Sequence, residues 1–332
     1  MEGLSMAIPN QDLIQYLVES YYGEDASYQE SGLYSSYWRI HTEKAQVRLD
    51  SDGQLATCLG ASFGVTKWNN VIHRVLEQLC ILTHLTHLPH RRELLGIMSL
   101  ANKVCKRMGL DPTMDVFRQV CSLELITRHM GEKWTVGRPT FLVIGDGYGV
   151  LSALFKAVFP NSTSILVDLG RTLLFQSFHC QSAYPELIHK LASEVEDPYS
   201  TDFVYCPAEE LEALERFDID IAVNIASMQE MNEATIAQYF ALLRQRMKPD
   251  NFFYCCNRES KVLYGGELIE FLKYPWHEKD RYLVDEYCPW HQYFFAYRPT
   301  EKGLRIFGLR VPFVNYYDGK HLHRLTILST EA

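Results

Sequence analysis

FLVIGDGYG, residues 141–149, sets four apolar residues ahead of glycine at every second position, Gly145, Gly147 and Gly149. An apolar run of this length that ends in glycines reads as a buried strand turning into a loop. Glycine lets the backbone come close to a ligand, and the amino terminus of a following helix favours an anionic group. The stretch therefore points to a nucleotide site on an α/β sheet.

Working outward, the period of the apolar residues changes around this stretch. Toward the amino terminus DLIQYLVESYY, WNNVIHRVLEQLCILTHL, RELLGIMSLANKVCKRMG and DVFRQVCSLELITRHMG all carry helical spacing. GEKWTVGRP, residues 131–139, has the glycine and proline punctuation of a linker. Beyond it TFLVIG, SILVDL, DFVYCP, DIAVNI and NFFYCCN are runs of strand length, separated by helical segments such as VLSALFKAVF and ATIAQYFALLRQRM. Strands alternating with helices imply parallel crossovers and a doubly wound sheet. HQYFFAYRP, GLRIFGL and HRLTILS are expected as further strands near one sheet edge. The expected division is a helical domain over 1–132 and a sheet domain over 133–332.

The composition fits a soluble globular chain, with 47% apolar and 22% charged residues among 332. A formal charge of -9 offers a polyanion no general attraction, so nucleic acid is not an expected partner. Neither is a membrane, since no stretch approaches the roughly 18 uninterrupted apolar residues of a span. The first residues lack the pattern of a signal peptide. The nine cysteines are odd in number, and only Cys255 and Cys256 are adjacent, so no disulfide framework or zinc-knuckle spacing can be drawn. A cytoplasmic protein with reduced thiols is expected, and a homo-oligomer is compatible with the sequence.

Spacing separates the nucleotides that such a loop could serve. In the dinucleotide fingerprint G-x-G-x-x-G the third glycine is needed for helix packing, and here Val150 stands in its place. The spacing G-x-G-x-G is instead that of a methyl-donor loop. Asp168 ends the next strand, where an acid can accept ribose hydroxyls, but dinucleotide enzymes place an acid there too.

Later segments carry a more specific likeness. GDGYGVLSALFKAVFPNSTSILVDLGRTLLFQ, DIAVNIASMQEMNEATIAQYF and NFFYCCNRESK resemble the sugar O-methyltransferase family of class I S-adenosylmethionine-dependent enzymes, over most of residues 138–300. SMQEM is the most specific piece, and SGLYSSYWRIHTEKAQ is similar to the start of that family. The resemblance implies a Rossmann-like seven-strand methyltransferase sheet with a terminal antiparallel hairpin, behind an all-helical N-terminal domain. It implies S-adenosyl-L-methionine as donor and a small-molecule acceptor, a sugar or another polar hydroxyl compound. A natural-product nitrogen or oxygen acceptor, and an inactive donor-binding partner protein, are the alternatives. By the same resemblance Gly145, Asp146, Gly147 and Gly149 would approach the methionine part of the donor. Asp168 and Leu169 would meet the ribose, Ala208 and Glu209 the adenine, and Asn224 and Ser227 the reactive methyl. Val143 departs from the pattern, because many relatives carry an acid there, and Asp146 is expected to contact the donor's amino group in its stead. Tyr34, Trp38 and Gln229 are the candidates for acceptor contacts.

Three groups are candidates for general base: His291, then His277, then Glu230. Both histidines lie in Pro-Trp-His triplets after the last parallel strand, and imidazole has an unperturbed pKa near 6.5. His84, His87 and His90 do not share a helix face once Pro89 ends the helix, so a solvated helix end is expected rather than a metal site. His321 and His323 would share one face of a strand without a third ligand in view. No metal is expected.

Overall fold

The computed structural model describes residues 11–22, 35–42, 46–49, 55–59, 67–68, 70–130, 137–295, 303–317 and 319–329. The first part supplies α1 (Gln11–Tyr22), α2 (Ser36–Thr42), β1 (Gln46–Leu49), β2 (Leu55–Leu59), α3 (Val71–His87), α4 (Arg91–Met108) and α5 (Met114–Met130). Asn70 starts α3 by accepting from the His73 N–H, and Gly109 closes α4 with φ 69°. α4 buries Leu94, Ala101, Val104, Cys105 and Met108, a single apolar stripe at helical spacing. The all-helical expectation fails at β1 and β2, which pair as an antiparallel hairpin. Two runs of four and five residues are too short for their alternation to stand out against helical spacing.

The second part contributes β3 (Thr140–Ile144), α6 (Val150–Val158), β4 (Thr163–Asp168), α7 (Gly170–Ala183), β5 (His189–Leu191), β6 (Phe203–Pro207), β7 (Ile219–Ile225), α8 (Glu233–Arg246) and β8 (Met247–Arg258). There follow β9 (Ser260–Val262), β10 (Leu268–Glu270), β11 (Arg281–Tyr287), β12 (Tyr293–Phe295), β13 (Gly303–Ile306), β14 (Leu309–Tyr316) and β15 (His321–Ile327). The main sheet has eight strands in the order β11-β15-β8-β7-β3-β4-β6-β5, not the expected seven. Its six strands from β8 to β5 are parallel, and β15 is antiparallel to both β8 and β11. Two of its strands lie outside the expected runs: β5, whose three residues HKL contain no apolar run, and β11, RYLVDEY. HQYFF and GLRIF do not join this sheet; with β14 they form a separate three-stranded sheet.

One apolar core runs between the sheet and the helices on one side. Phe141, Val143, Leu166 and Tyr254 of the sheet meet Leu17 of α1, Val104 of α4, Leu123 of α5, Leu154 of α6 and Leu174 of α7 in a single cluster. On the other face Leu142, Ile165 and Phe253 pack with Ile236, Phe240 and Leu243 of α8. The expected boundary at 132/133 lies outside the described residues, and the core is continuous across it. From β3 the chain passes to β4 on one side, while β7 lies on the other. That divergence is a topological switch point, where open α/β sheets leave a crevice at the carboxyl ends of the strands.

Candidate active site

The loop after β3 is held by its own packing. Gly145, Gly147 and Gly149 take φ of 76°, 61° and 78°, a left-handed region costly for other residues. A methyl group on Gly145 would overlap the Ser227 side chain, and one on Gly149 would lie 2.7 Å from Cys180 Sγ. The sequence sees these glycines as room for a ligand, whereas two of them are already required by close neighbours. Asp146 is fixed as well: its two oxygens accept the N–H groups of Leu151 (3.1 Å) and Ser152 (2.8 Å) in the first turn of α6. Both oxygens thus serve the helix terminus, and Asp146 also lines the cavity described below.

Asp168 ends β4 with one oxygen on its neighbour's N–H at Leu169 (2.8 Å) and the other on Gln176 Nε2 (2.6 Å). Burial pushes its carboxyl up to about 7, and that of Asp146 up to about 6. A carboxyl with a folded pKa above its unfolded value near 3.9 adds stability below about pH 4, and this is lost as pH rises through the folded pKa. For Asp168 the loss is on the order of 4 kcal/mol, complete by about pH 8. Asp168→Asn should therefore flatten the fall in urea midpoint of the ligand-free chain between pH 5 and 8. Parallel pH profiles for the two proteins would show that Asp168 ionises freely.

Trp38 of α2 is 8% exposed and packs with Leu169 and Ala208 in a small apolar cluster. The remaining crevice, bounded also by Asp168, Ser227 and Tyr239, holds about 20 Å³. Glu209 lies next to Ala208 but lines neither this crevice nor the cavity beside the glycine loop; burial holds its carboxyl above the usual range. Tyr34 lies outside the described residues.

After β7 the chain makes a tight turn. Asn224 does not reach the cavity: its Nδ2 donates to Ile144 O (2.9 Å) and Ser227 Oγ (2.5 Å), and its Oδ1 accepts from Asn257 (2.8 Å). It ties β3, β7 and β8 together instead of facing a ligand. Ala226 follows with φ 59°, a strained value for a residue with a side chain, of the kind that clusters at functional sites. Ser227, Gln229 and Glu230 do line the cavity. Gln229 Oε1 accepts from the Arg258 N–H (2.7 Å), so part of its amide is committed to structure. Glu230 is paired with Lys261 (2.6 Å); burial raises its carboxyl and Lys261 opposes the rise.

The cavity encloses about 240 Å³ and joins most of these residues, Gly145, Asp146, Gly147, Asp168 and Trp38 at one end. The other end is polar and was largely invisible in the sequence. It is formed by Asp115, Arg118 and Gln119 of α5, with Arg258, Tyr317, His291 and His321. Arg118 is buried and bonded to Asp115 (2.5 Å), Trp290 O (3.3 Å) and Tyr293 O (3.1 Å). Only the i, i+3 spacing of Asp115 and Arg118 could have hinted at it. His291 lines the cavity, and burial first, then His321 and Arg118, hold its imidazole well below the usual range. That makes it a poor proton acceptor at neutral pH.

His277 does not line the cavity. Its backbone N–H donates to Asp280 (2.8 Å), and Asp280 in turn binds Arg244 of α8 (2.7 Å), so the first Pro-Trp-His triplet serves the opposite face of the sheet. His84 is not at a solvated helix end either; it is 4% exposed, beside Phe117 and Tyr293. His90 is exposed at the start of α4. The eight described cysteines are all buried and free of disulfides. Among the described residues no helix is long and apolar enough to cross a membrane.

No family model and no curated protein matches the chain. Solved structures give partial likenesses at low identity. An S-adenosylmethionine-dependent methyltransferase from Clostridium acetobutylicum is 11% identical, with a TM-score of 0.37, over 62% of this chain and 89% of that one. A cyclopropane synthase from Mycobacterium tuberculosis is 18% identical, with a TM-score of 0.28, over 40% of this chain and 42% of that one. Phosphoethanolamine N-methyltransferase 2 from Haemonchus contortus, solved with S-adenosyl-L-methionine, is 15% identical, with a TM-score of 0.29, over 43% of this chain and 30% of that one. The chain thus spans less than half the length of the last two.

Proposed function

We propose that the protein is an S-adenosylmethionine-dependent methyltransferase acting on a hydroxyl of a sugar or another polar small molecule. The observation that carries this reading is the meeting of the glycine loop, Asp168 and the SMQEM turn around one cavity at the sheet's switch point. Asp168 lines the cavity where it would accept ribose hydroxyls, and Leu169 and Ala208 would meet the adenine once Trp38, which covers them, moves aside. The acid missing at Val143 has a counterpart across the cavity. Gln119 Oε1 is buried there without a hydrogen-bond partner among the described residues, and the donor's ammonium group would satisfy it. Bound in this way, the donor brings an electrophilic methyl group on a sulfonium. The chain must then hold an acceptor oxygen in line and take its proton.

Glu230 is the residue assigned to the proton. It lines the cavity beside Ser227, and its carboxyl is raised toward the range in which a general base works best. Lys261 holds it in place.

Calorimetry is expected to show binding of S-adenosylmethionine and S-adenosylhomocysteine but not of NAD. Asp168→Ala should weaken that binding by about 1.5 to 3 kcal/mol, the scale of hydrogen bonds to a charged group. Binding of NAD alone, or unchanged affinity in the variant, would reject the donor site. A donor-binding protein without catalysis is the second reading, favoured by Val143, which is 2% exposed and packed in the core with no acid in its place. Release of S-adenosylhomocysteine with a panel of hydroxyl and amine acceptors separates the two.

A further inference from the structure

Three soft or borderline ligands, Cys256 of β8 and Cys288 with His291 from the turn after β11, meet behind the polar end of the cavity, and His291 is the one of the three that lines its wall. Because β15 pairs with both β8 and β11, Cys256 near the end of β8 comes close to Cys288, one residue past β11. The turn Pro289–His291 then folds back, with the His291 N–H donating to Cys288 O (3.3 Å) and the Cys288 N–H donating to His321 O (2.8 Å). His291 Nδ1 lies 3.1 Å from Cys288 Sγ and 3.7 Å from Cys256 Sγ, and all three ligand atoms are within 4.8 Å of one another. In a tetrahedral zinc centre, with Zn–S about 2.3 Å and Zn–N about 2.0 Å, neighbouring S and N ligands sit about 3.5 Å apart and two sulfurs about 3.8 Å. The trio is spaced on that scale.

We propose that Cys256, Cys288 and His291 bind one thiophilic divalent cation, Zn2+ by the chemistry of its ligands, with the fourth position open to the cavity. Thiolates select zinc over the hard cations magnesium and calcium, which take oxygen ligands. Two thiolates also cancel the charge of the cation, so no net charge is buried. The openness follows from His291, which is itself part of the cavity wall. A second side chain in that wall supports it. His321 stacks on His291 at 4.7 Å and is 4% exposed, and its Nδ1 is buried without a hydrogen-bond partner among the described residues. A water or hydroxyl at the fourth position would supply that partner. Three protein ligands with one open position is the arrangement of catalytic rather than structural zinc.

The use of the open position rests on the methyl-transfer reading; the site itself does not. An acceptor hydroxyl held there would be polarised, and its O–H proton would pass to Glu230 as the O–CH3 bond forms and the S–CH3 bond of the donor breaks. S-adenosylhomocysteine, the methyl ether and a protonated Glu230 account for every atom and charge.

The full chain, stripped of metal and titrated with Co2+, should take up one equivalent with a thiolate-to-cobalt charge-transfer band and visible bands of tetrahedral intensity, both removed by Zn2+. Cys256→Ser and Cys288→Ser should each weaken or abolish the charge-transfer band, while Cys206→Ser, a buried thiol of β6, should leave it intact. Absence of the band in the native chain, or its survival in the double variant Cys256→Ser/Cys288→Ser, would overturn the site. Azide should shift the visible bands; no response would overturn the open position. S-adenosylhomocysteine calorimetry on the same preparations reports whether each variant is folded, and keeps the two readings apart. S-adenosylhomocysteine binding without cobalt binding rejects the metal site only, and cobalt binding without S-adenosylhomocysteine binding rejects the donor site only.

Discussion

Glu230→Gln is expected to lower methyl transfer by about 100- to 10,000-fold, the usual range for loss of a general base, with S-adenosylhomocysteine affinity close to native. The substitution keeps the size and shape of the side chain and removes its proton-accepting charge. It also leaves Lys261 without its 2.6 Å ion pair, in a setting where burial already lowers the lysine pKa. Removing one partner of a buried pair costs stability, so a lower melting temperature is expected beside the kinetic effect. The two can be told apart. Glu230→Gln/Lys261→Met removes both charges and should recover much of the stability while turnover stays low. If that double variant turns over at the native rate, the proton leaves by another route. A native rate in Glu230→Gln itself would reject the assignment directly.

A chain beginning at Lys133 is expected to have no cooperative thermal transition and no donor affinity. The sequence divides the chain at 132/133, but the core is shared across that boundary. Leu17, Val120, Leu123 and Ile126 are all 0% exposed and packed in the same cluster as Phe141 and Val143 of β3. Burying one such side chain contributes about 1.5 to 3 kcal/mol. Four of them approach the whole 5 to 15 kcal/mol by which a typical domain is stable. Their absence would also uncover Leu154, Phe155 and Leu174, a patch prone to association. Circular dichroism melting and sedimentation check this, and a soluble chain that binds the donor would make the helices an appendage.

Five of the six parallel strands were legible because their central residues are buried on both faces and so read as apolar runs, as in TFLVI and TSILVD. α4 was legible for the opposite reason, one apolar stripe against a charged face. α7 was not, since Leu173, Leu174, Phe175, Gln176, Ser177 and His179 are all buried and no stripe exists. The glycine-loop half of the candidate site could be read because it consists of loops that follow the parallel strands β3, β4 and β7. Gly145, Asp168 and Ser227 keep the order of the chain. The polar half could not, because Arg118 comes from a helix and His321 from an antiparallel strand, and tertiary packing brings them together. His277 and His291 show the limit most plainly. Identical Pro-Trp-His triplets end on opposite faces of one sheet.

α2 has seven residues and touches both halves. The Ser35 hydroxyl, just ahead of it, donates to Glu230 O (2.5 Å), and Ser36 accepts from the Gly265 N–H (2.8 Å). Tyr37 lies under the Lys261 ammonium at 4.0 Å, while the next residue, Trp38, fills the crevice beside Asp168. Residues 35–38 therefore connect the crevice to the Glu230–Lys261 pair. In the language of linkage, a ligand that shifts α2 at one end changes the free energy of binding at the other, and the coupling is reciprocal. Whatever factor the first ligand imposes on the affinity of the second, the second must impose on the first. A displacement of Trp38 that loosens Tyr37 from Lys261 would make the two ligands antagonists, and one that leaves Tyr37 in place would make the binding events independent.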